Sequence, residues 1–588
     1  MKTPYRRAPL LTAALAAAFT LAIPAAPLSA QTVTVTGTAD GPGTVTMKPA
    51  NGLVVNGKAV TLTANPDKDA LFVDWSSGEA TASIKVAPEE DTAYVARFRL
   101  KTECADPVIE DVQPSENAMV GVPFAMQVEI NDDAKPVKFS ATKLPAGLKI
   151  DAATGLISGV PTKAGTYSGI TVKAVSVANG KNAVSVDLPD ITIEALPWNA
   201  QGTFNGNVLG EGGGVYVYGS FTATVSAAGK VTAKVVSSNG TWSFSAPSWT
   251  GREGVDFTVE AKTAKGQTLT LYLDTSVPWN EWHMSGMFNG THDLCAKRNP
   301  FLNKNDGAYA DAMDALKDYY KGYYTLTVNA TVDVDSLGDA QNAPGGNGYL
   351  TLTVNDKGAV KLAGKLADGT TASGSAVLLL GDWQGDIPYF LPLYSSKGFY
   401  SENLTVDGVT GLVEGYGNWF YPGKAPAGKT PATENRFMAW TTPRGARYNT
   451  LAKLADYFSG RTFSSDECYV EIGDDGKGGI RVPKGKVPKY DREREDYEFD
   501  EENPNVVTFS ANKATGIFSG KFNIYEDVED AKGNWKLKTT SVSYQGVLVQ
   551  GDGAGYGGGF YLRNEAWATD DAKPVKYTVK RSFPVYVD

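Results

Sequence analysis

The sequence predicts an all-β protein of several domains, and three observations lead to that prediction. Short runs of alternating polar and apolar residues recur along the chain, for example Val33–Thr36 and Leu71–Trp75, and a period of two is typical of half-buried strands. The 63 glycines and 31 prolines favour tight turns between such strands. A length of 588 residues is enough for about three to five domains, each able to bury its own core.

The N-terminus predicts export. Lys2, Arg6 and Arg7 form a basic start. The uncharged run Leu10–Ile23 follows, and Ala30 provides a small residue before a cleavage site. This order is that of a secretory signal peptide, and the apolar run is shorter than the roughly 20 residues that a membrane span needs. We therefore expect an exported protein, outside the cell, at the cell surface or in the periplasm, with no transmembrane segment in the mature chain.

The charge balance and the scarcity of histidine disfavour several classes of function. A formal net charge of −10 without a basic cluster argues against nucleic acid as a partner, because that affinity rests on neutralising phosphates. The two histidines, His283 and His292, lack the spacing of a metal site, and nothing beside them indicates a catalytic triad. The sequence therefore predicts no metal, no cofactor and no catalytic residue, and so a protein that is not an enzyme.

The first strand-rich segment after the signal peptide has a recognisable order of elements. A strand pattern over Val60–Pro66 is followed by the aromatic run Phe72–Ser76 and by the closing strand Val95–Phe98. This order resembles the divergent internalin-type B-repeat, a small module of bacterial surface proteins. The resemblance covers the segment almost completely and implies a small β-module. The pattern of the segment by itself predicts that Trp75 is a core residue and not a ligand platform.

The second segment carries the most specific local signature. Leu144–Asp151 leads into Thr154–Pro161, and Ala164–Tyr167 follows. Physically, this is a strand, a turn that needs Gly155, an apolar pair and a return marked by proline. The pattern resembles the immunoglobulin domain of the cadherin-like, dystroglycan-type group. That resemblance implies a β-sandwich of about a hundred residues.

The long C-terminal region contains an internal repeat. Gly219–Val231 recurs as Gly348–Val360, and a weaker third copy covers residues 505–517. Each copy joins two alternating strands through a polar turn with glycine, which is the pattern of a β-hairpin. We therefore expect duplicated β-rich modules of barrel or sandwich type. The region also resembles uncharacterised β-rich tails of secreted bacterial proteins, a resemblance that names no activity.

Two short helices are expected within this region. Apolar residues at helical spacing occur at Met313, Leu316 and Tyr320, and again at Leu451, Leu454 and Phe458. Each helix would open a new β-module. The expected divisions are a signal peptide (1–30), a B-repeat-like module (31–104), an immunoglobulin-like sandwich (105–196) and three β-rich modules (197–305, 306–447 and 448–588).

Aromatic residues are the candidate binding groups. They cluster among glycines and prolines, so some rings are expected on loops, where exposed aromatics often serve recognition, although core packing is the default for most of them. The candidate ligand-binding residues are Trp242, Trp249, Trp282, Trp383 and Trp419. The favoured hypothesis is an exported, non-catalytic protein for adhesion, ligand binding or structural display, with a glycan or a cell-surface protein as partner.

The alternative hypothesis is a carbohydrate-active enzyme, a glycoside hydrolase with accessory binding modules. That chemistry needs only two suitably placed carboxylates. Glu281, between Trp279 and Trp282, is the first candidate, because aromatic surroundings can raise the pKa of a carboxyl. Packing of the two rings at a strand edge is the simpler interpretation of this segment.

The three cysteines give one structural prediction. An oxidising compartment favours a bridge between any two thiols in reach. Cys295 and Cys468 lie in the same β-rich region, whereas Cys104 lies at the joint between the two small modules. We therefore expect a Cys295–Cys468 disulfide and a free Cys104.

Overall fold

The computed structural model describes residues 32–112, 118–210, 214–332, 344–423, 436–530, 532–551, 555–568 and 576–588. The predicted signal peptide lies outside the described residues. Strands make up about 58% of the structure and the described helices are few, which confirms the all-β, multi-domain class.

The first module has two small sheets around one core. The strands are β1 Thr32–Asp40, β2 Gly43–Lys48, β3 Leu53–Val55, β4 Val60–Pro66, β5 Ala70–Trp75, β6 Ser83–Val86 and β7 Thr92–Leu100. The sheet orders are β3-β1-β7-β5, in which β1 and β7 run parallel, and β2-β4-β6. Trp75 is buried in the core that also contains Phe98, and its indole N–H donates to the carbonyl of Thr81 at 3.0 Å.

The second module contains the strands β8 Ile109–Val112, β9 Ala118–Met119, β10 Phe124–Ile130, β11 Val137–Thr142, β12 Leu148–Ile150, β13 Leu156–Gly159, β14 Gly165–Tyr167, β15 Thr171–Ser176, β16 Ala183–Asp187 and β17 Ile191–Glu194. They form sheets of order β12-β13-β10-β8, β11-β15-β16 and β14-β17-β9. The signature turn follows β12: the Asp151 carboxylate accepts hydrogen bonds from the backbone N–H groups of Ala153 and Thr154, and Gly155 has φ +76°.

Specific contacts join the successive modules. Arg97 of the first module forms ion pairs with Asp74 of the same module at 2.6 Å and with Asp132 of the second module at 2.7 Å. The second module packs on the next sheet through glycines, since a Cβ on Gly121 would lie 2.5 Å from the Cα of Gly229. Only residues without a side chain permit so close an approach of two backbones.

Beyond residue 200, the described residues form three large sheets, named here the first, second and third C-terminal sheets. The first has nine strands: β18 Gly202–Gly210, β19 Gly214–Val225, β20 Val231–Ser237, β21 Gly240–Ala246, β22 Gly251–Glu253, β23 Asp256–Lys262, β24 Thr268–Asp274, β25 Met284–Phe288 and β26 His292–Asn299. The second also has nine: β27 Gly322–Val332, β28 Gly348–Val354, β29 Ala359–Lys365, β30 Thr371–Val377, β31 Leu379–Leu380, β32 Gln384–Leu393, β33 Gly398–Asp407, β34 Leu412–Tyr421 and β35 Phe437–Arg447.

The third C-terminal sheet has eight strands, with a two-stranded hairpin (β39 and β40) inserted beside it. The elements are β36 Arg461–Ser465, β37 Tyr469–Asp474, β38 Ile480–Arg481, β39 Lys489–Asp491, β40 Asp496–Glu498, β41 Thr508–Ala511, β42 Ile517–Glu529, β43 Trp535–Val549, β44 Tyr556–Ala568 and β45 Lys576–Val587. It packs on the second sheet through an apolar layer that includes Tyr349, Val547 and Phe560.

The first two C-terminal sheets are duplicates of one topology. Counted within each sheet, the strand order is 4-3-2-1-9-8-7-6-5 in both, so that the first strand pairs with the last. The two stronger copies of the sequence repeat fall on β19–β20 and β28–β29, the second and third strands of their sheets. The weaker copy falls on β41–β42, which are not the equivalent strands of the third sheet. The predicted duplication is therefore present.

The first of the two expected helices has the predicted extent, whereas the second is shorter than expected. The first, α1 Tyr309–Ala315, continues as a π-helical turn over Leu316–Tyr320. The second, α2 Ala455–Phe458, is a single turn. The residues before it are irregular, because tertiary partners take their backbone groups: the N–H of Asn449 donates to the Gln550 side chain, and that of Leu451 donates to the carbonyl of Lys513.

Candidate functional site

The segment with two tryptophans and Glu281 lies at the junction between the first two C-terminal sheets. Trp279 packs against the core of the second sheet. His283 is buried, its Nδ1 lies 2.8 Å from the carbonyl oxygen of Glu281, and burial lowers the pKa of its imidazole. Asn280 donates a hydrogen bond to Asp382 of the second sheet at 2.8 Å. The segment therefore holds two sheets together.

A buried ion pair lies under the same junction. Lys297 on β26 and Asp386 on β32 are 2.8 Å apart, Nζ to Oδ2. The Lys297 ammonium also stands 5.1 Å from the ring centroid of Trp282. A Cβ added to Gly381 would lie 3.3 Å from the same ammonium, so the lysine reaches the turn between β31 and β32 as well.

That turn presents Trp383 to solvent. The side chain is 67% exposed, and the residue has φ +98°, which is rare for a bulky side chain. The turn is nevertheless fixed: the N–H of Gly381 donates to the carbonyl of Gln384 at 2.7 Å, and the N–H of Gly408 donates to the carbonyl of Trp383 at 3.0 Å. A single exposed indole is thus held by ordered backbone on both sides.

Tyr319 supports the indole laterally. Its ring centroid lies 6.1 Å from that of Trp383 at an interplanar angle of 79°, an edge-to-face contact. Its backbone carbonyl accepts a hydrogen bond from the guanidinium of Arg447, which fixes the end of the helix. We call Trp383, Tyr319, Asp382 and Asn280 the junction platform. It combines one large exposed ring, a second exposed ring in contact with it, and the hydrogen-bonded pair of Asn280 and Asp382, the residue that precedes Trp383.

The five predicted tryptophans are dispersed. Trp249 and Trp419 are 0% and 1% exposed, so they are core residues, and the hypothesis that they bind a ligand is wrong for both. Trp419 lies on the inward face of β34 and donates to the Tyr394 hydroxyl at 2.9 Å. Trp242 is half-buried, 5.0 Å from the ring of Phe288, at a distance from the junction along the first sheet. Only Trp282 and Trp383 lie at the junction.

The predicted disulfide is not formed. Cys104, Cys295 and Cys468 are all free thiols. Cys295 belongs to β26 of the first C-terminal sheet, whereas Cys468 precedes β37 of the third and lies 3.3 Å from the Ser465 hydroxyl. Membership of one β-rich region did not bring the two together, because they belong to separate sheets. Burial raises the pKa of both thiols to about 11.

Sequence reasoning missed three members of the junction platform. Tyr319 is adjacent to the apolar helical face that was predicted, but it lies outside that face. Asp382 lies beside Trp383 in a run flanked by Gly381 and Gly385, and this turn composition was the available signal. Nothing in the sequence links Asn280 to them. Within the described ranges, no group of three or more His, Cys, Asp or Glu side chains is placed to hold a metal ion.

Comparison with known proteins identifies the two N-terminal modules. Residues 33–102 match the family model described as "Divergent InlB B-repeat domain", and residues 106–189 match "Putative Ig domain". The chain thus carries the predicted modules in the predicted order. Such modules are typical of extracellular bacterial proteins and are ordinarily non-catalytic, and they indicate a surface or extracellular binding protein.

No curated protein sequence matches the chain significantly. Among solved structures, a tryptophan-to-alanine mutant of the vaccine antigen Transferrin Binding Protein B from Haemophilus parasuis Hp5 is similar over 82% of this chain and 99% of its own, at 10% identity. The TM-score of 0.14 is too low to indicate a shared fold. None of the described helices is long and apolar enough to cross a membrane.

Proposed function

We propose that this chain is an exported, non-catalytic bacterial surface or extracellular protein that binds a glycan through the junction platform. In this proposal the two N-terminal modules, residues 31–104 and 105–196, act as spacers that present the β-rich C-terminal region. The observation that carries the proposal is the exposed indole of Trp383 at φ +98° in a hydrogen-bonded turn. Strained backbone at a bulky residue costs about 1 to 3 kcal/mol, and such strain clusters at ligand sites.

The chemistry of the platform suits a glycan. An indole offers a flat apolar face that can cover the face of a sugar ring. Asp382, next to Trp383 in the chain, and its hydrogen-bond partner Asn280 offer polar atoms that can exchange hydrogen bonds with hydroxyl groups. The ring is already held by Tyr319 and by the turn. Binding therefore orders few additional groups, which preserves affinity.

The contacts of the segment around Glu281 favour binding over hydrolysis. Trp279 and Asn280, the neighbours of Glu281, are engaged with the second C-terminal sheet. The segment thus has a structural task that explains its two tryptophans. The role of Glu281 in a glycoside hydrolase stays the alternative that experiment must exclude.

A glycan array with two matched variants tests the proposal. Trp383→Ala removes the platform ring, and Trp535→Ala removes a second indole that is also 67% exposed but lies on β43 of the third sheet. We expect the parent to bind a defined glycan class, Trp383→Ala to lose at least tenfold in affinity, and Trp535→Ala to bind like the parent. Equal binding by all three would overturn the platform as the glycan site.

Release of reducing sugar is measured in parallel on every glycan that binds. We expect none above the blank. Release that disappears in Glu281→Gln would establish the enzyme instead. Capture of a cell-surface protein through Trp383, with no glycan bound, would replace the glycan by a protein partner.

A further inference from the structure

The third C-terminal sheet has an open edge. In the first two sheets the ends approach each other, with β21 against β23 and β30 against β32. The end strands of the third sheet, β38 and β41, make no comparable contact within the described chain. The edge strand β38 has only two residues. The sheet therefore leaves most of β37 uncovered on one side.

The uncovered part of β37 presents backbone hydrogen-bonding groups. Residues 469–472 pair with β36, but β38 pairs only with Gly473 and Asp474. The carbonyl of Ile472 accepts from the N–H of Gly460, on the β36 side. Because successive residues of an antiparallel strand point their N–H and C=O groups to opposite sides, those of Tyr469 and Glu471 face the open side.

A cleft of about 970 Å³ runs along this edge. Its volume is in the range of ligand sites in proteins, roughly 300 to 1,000 Å³. Pro483, Pro504 and Asn505 line the opposite wall. That wall is fixed by the fully buried Asn503, whose side-chain amide donates to the carbonyls of Pro483 at 2.7 Å and Val507 at 3.0 Å.

The charge of the cleft is strongly one-sided. Among the described residues that line the cleft, Arg481 is the one basic residue, against six acidic residues: Asp466, Glu467, Glu471, Asp474, Glu501 and Glu502. Glu467 is engaged by Arg563 at 2.8 Å. A cleft lined mainly by negative charges concentrates the electrostatic field and attracts a positively charged ligand. An acidic segment is repelled, and the net charge of −10 disfavours a second copy of this chain.

We propose that an extended, basic segment of a partner protein adds to β37 as a new strand in this cleft. Its backbone would pair with the N–H and C=O groups of Tyr469 and Glu471, which is the β-augmentation mode of recognition. Lysine or arginine side chains on that segment would face the carboxylates of the two walls. This site is independent of the junction platform, so either proposal can fail without the other.

The probe is a fluorescein-labelled Lys-Val-Lys-Val-Lys-Val peptide, added to the full-length protein and followed by fluorescence anisotropy. Glu471→Ala and Glu471→Pro remove the same charge, but only the proline also removes the outward N–H. An outward edge position tolerates proline, and a thermal melt checks that the sheet stays folded. We expect a severalfold loss of affinity for Glu471→Ala and at least a further tenfold loss for Glu471→Pro.

Two peptide controls separate strand pairing from charge. A Glu-Val-Glu-Val-Glu-Val peptide should not bind, and a Lys-Val peptide N-methylated at alternate residues should bind at least tenfold more weakly than the parent peptide. Equal binding by the methylated peptide, or equal affinity of the alanine and proline variants, would overturn the strand-addition proposal. Concentration-dependent self-association abolished by Glu471→Pro would overturn it too, because the occupant would then be a second copy.

Discussion

Lys297 and Asp386 form an ion pair that joins two sheets, with Nζ and Oδ2 2.8 Å apart and the side chains 5% and 13% exposed. Each residue belongs to a different copy of the duplicated topology. The pair lies beneath the turn that carries Trp383 and beside the ring of Trp282. The orientation of the junction platform therefore depends on a charge pair that is withdrawn from water.

Breaking the Lys297–Asp386 pair should lower the stability of the folded protein. In Lys297→Met the Asp386 carboxylate stays buried without its partner, which costs about 3 to 5 kcal/mol. We expect the midpoint of thermal unfolding, measured by calorimetry, to be clearly lower in Lys297→Met than in the parent protein. Lys538→Met, which breaks the exposed pair with Glu526, is the control and should change stability by less than about 1 kcal/mol. Similar effects of the two changes would contradict the structural role of Lys297.

The interior of the second C-terminal sheet should make stability depend on pH. Burial raises the pKa of Glu402 on β33 to about 8, whereas an unfolded glutamate titrates near pH 4.3. The folded state thus keeps a proton that the unfolded state has lost. Stability contributed by this group is complete below pH 4 and is lost as the pH rises towards 8. Between pH 5 and 8, we expect the melting temperature of the parent to fall relative to that of Glu402→Gln.

In part of that pH range, the contribution of His283 to stability changes with pH in the opposite direction. Burial lowers the pKa of its imidazole, so it destabilises the fold as the pH falls below about 6.5. The comparison with Glu402→Gln cancels this contribution, because both proteins contain the histidine. If the melting temperatures of the two proteins change with pH in the same way from pH 5 to 8, Glu402 is ionised in the folded state and the prediction is wrong.

Replacing the glycines in and next to the signature turn of the second module should destabilise that module. Gly155 has φ +76°, and a Cβ there would meet the Phe139 ring at 2.9 Å; Gly159 has φ +141°, and a Cβ would meet the Gly147 carbonyl oxygen at 2.1 Å. We expect Gly155→Val and Gly159→Val each to destabilise this module by about 2 kcal/mol or more. Gly180→Val is the control in the same module, since a Cβ at Gly180 meets nothing within 4 Å. The free energy of unfolding of each variant is measured by denaturant titration. Equal values for all three variants would contradict the turn geometry.

The three thiols should be free and should differ in reactivity. Burial raises the pKa of the Cys295 and Cys468 thiols to about 11, so little of the reactive thiolate exists near pH 8. We expect Cys104, which is less buried, to be alkylated first, and denaturant to expose all three without a reductant. Recovery of a peptide containing a Cys295–Cys468 disulfide would contradict the structure.

Some features of this protein are determined by residues close together in sequence. Alternating runs predicted strands, since side chains point to opposite faces of a strand whatever lies beyond it. The turn at Asp151 to Gly155 is recognisable because its hydrogen bonds and its glycine fall within five residues. The hairpin repeat predicted the duplicated topology for the same reason. Local chemistry sufficed for the class of fold and for the two small modules.

The site and the thiols were decided by the tertiary structure. Trp383 and Trp419 both occur beside glycines and other aromatics, yet one is exposed and the other is core. Which face of a strand meets solvent depends on the curvature of its sheet and on the strands that pair with it, and these partners are far apart in sequence. The same holds for Lys297 and Asp386, and for the cysteines placed in separate sheets. The sequence alone determined an all-β chain with two recognisable modules, and it predicts export. Only packing between distant segments decided which rings, charges and strand edges a ligand could reach.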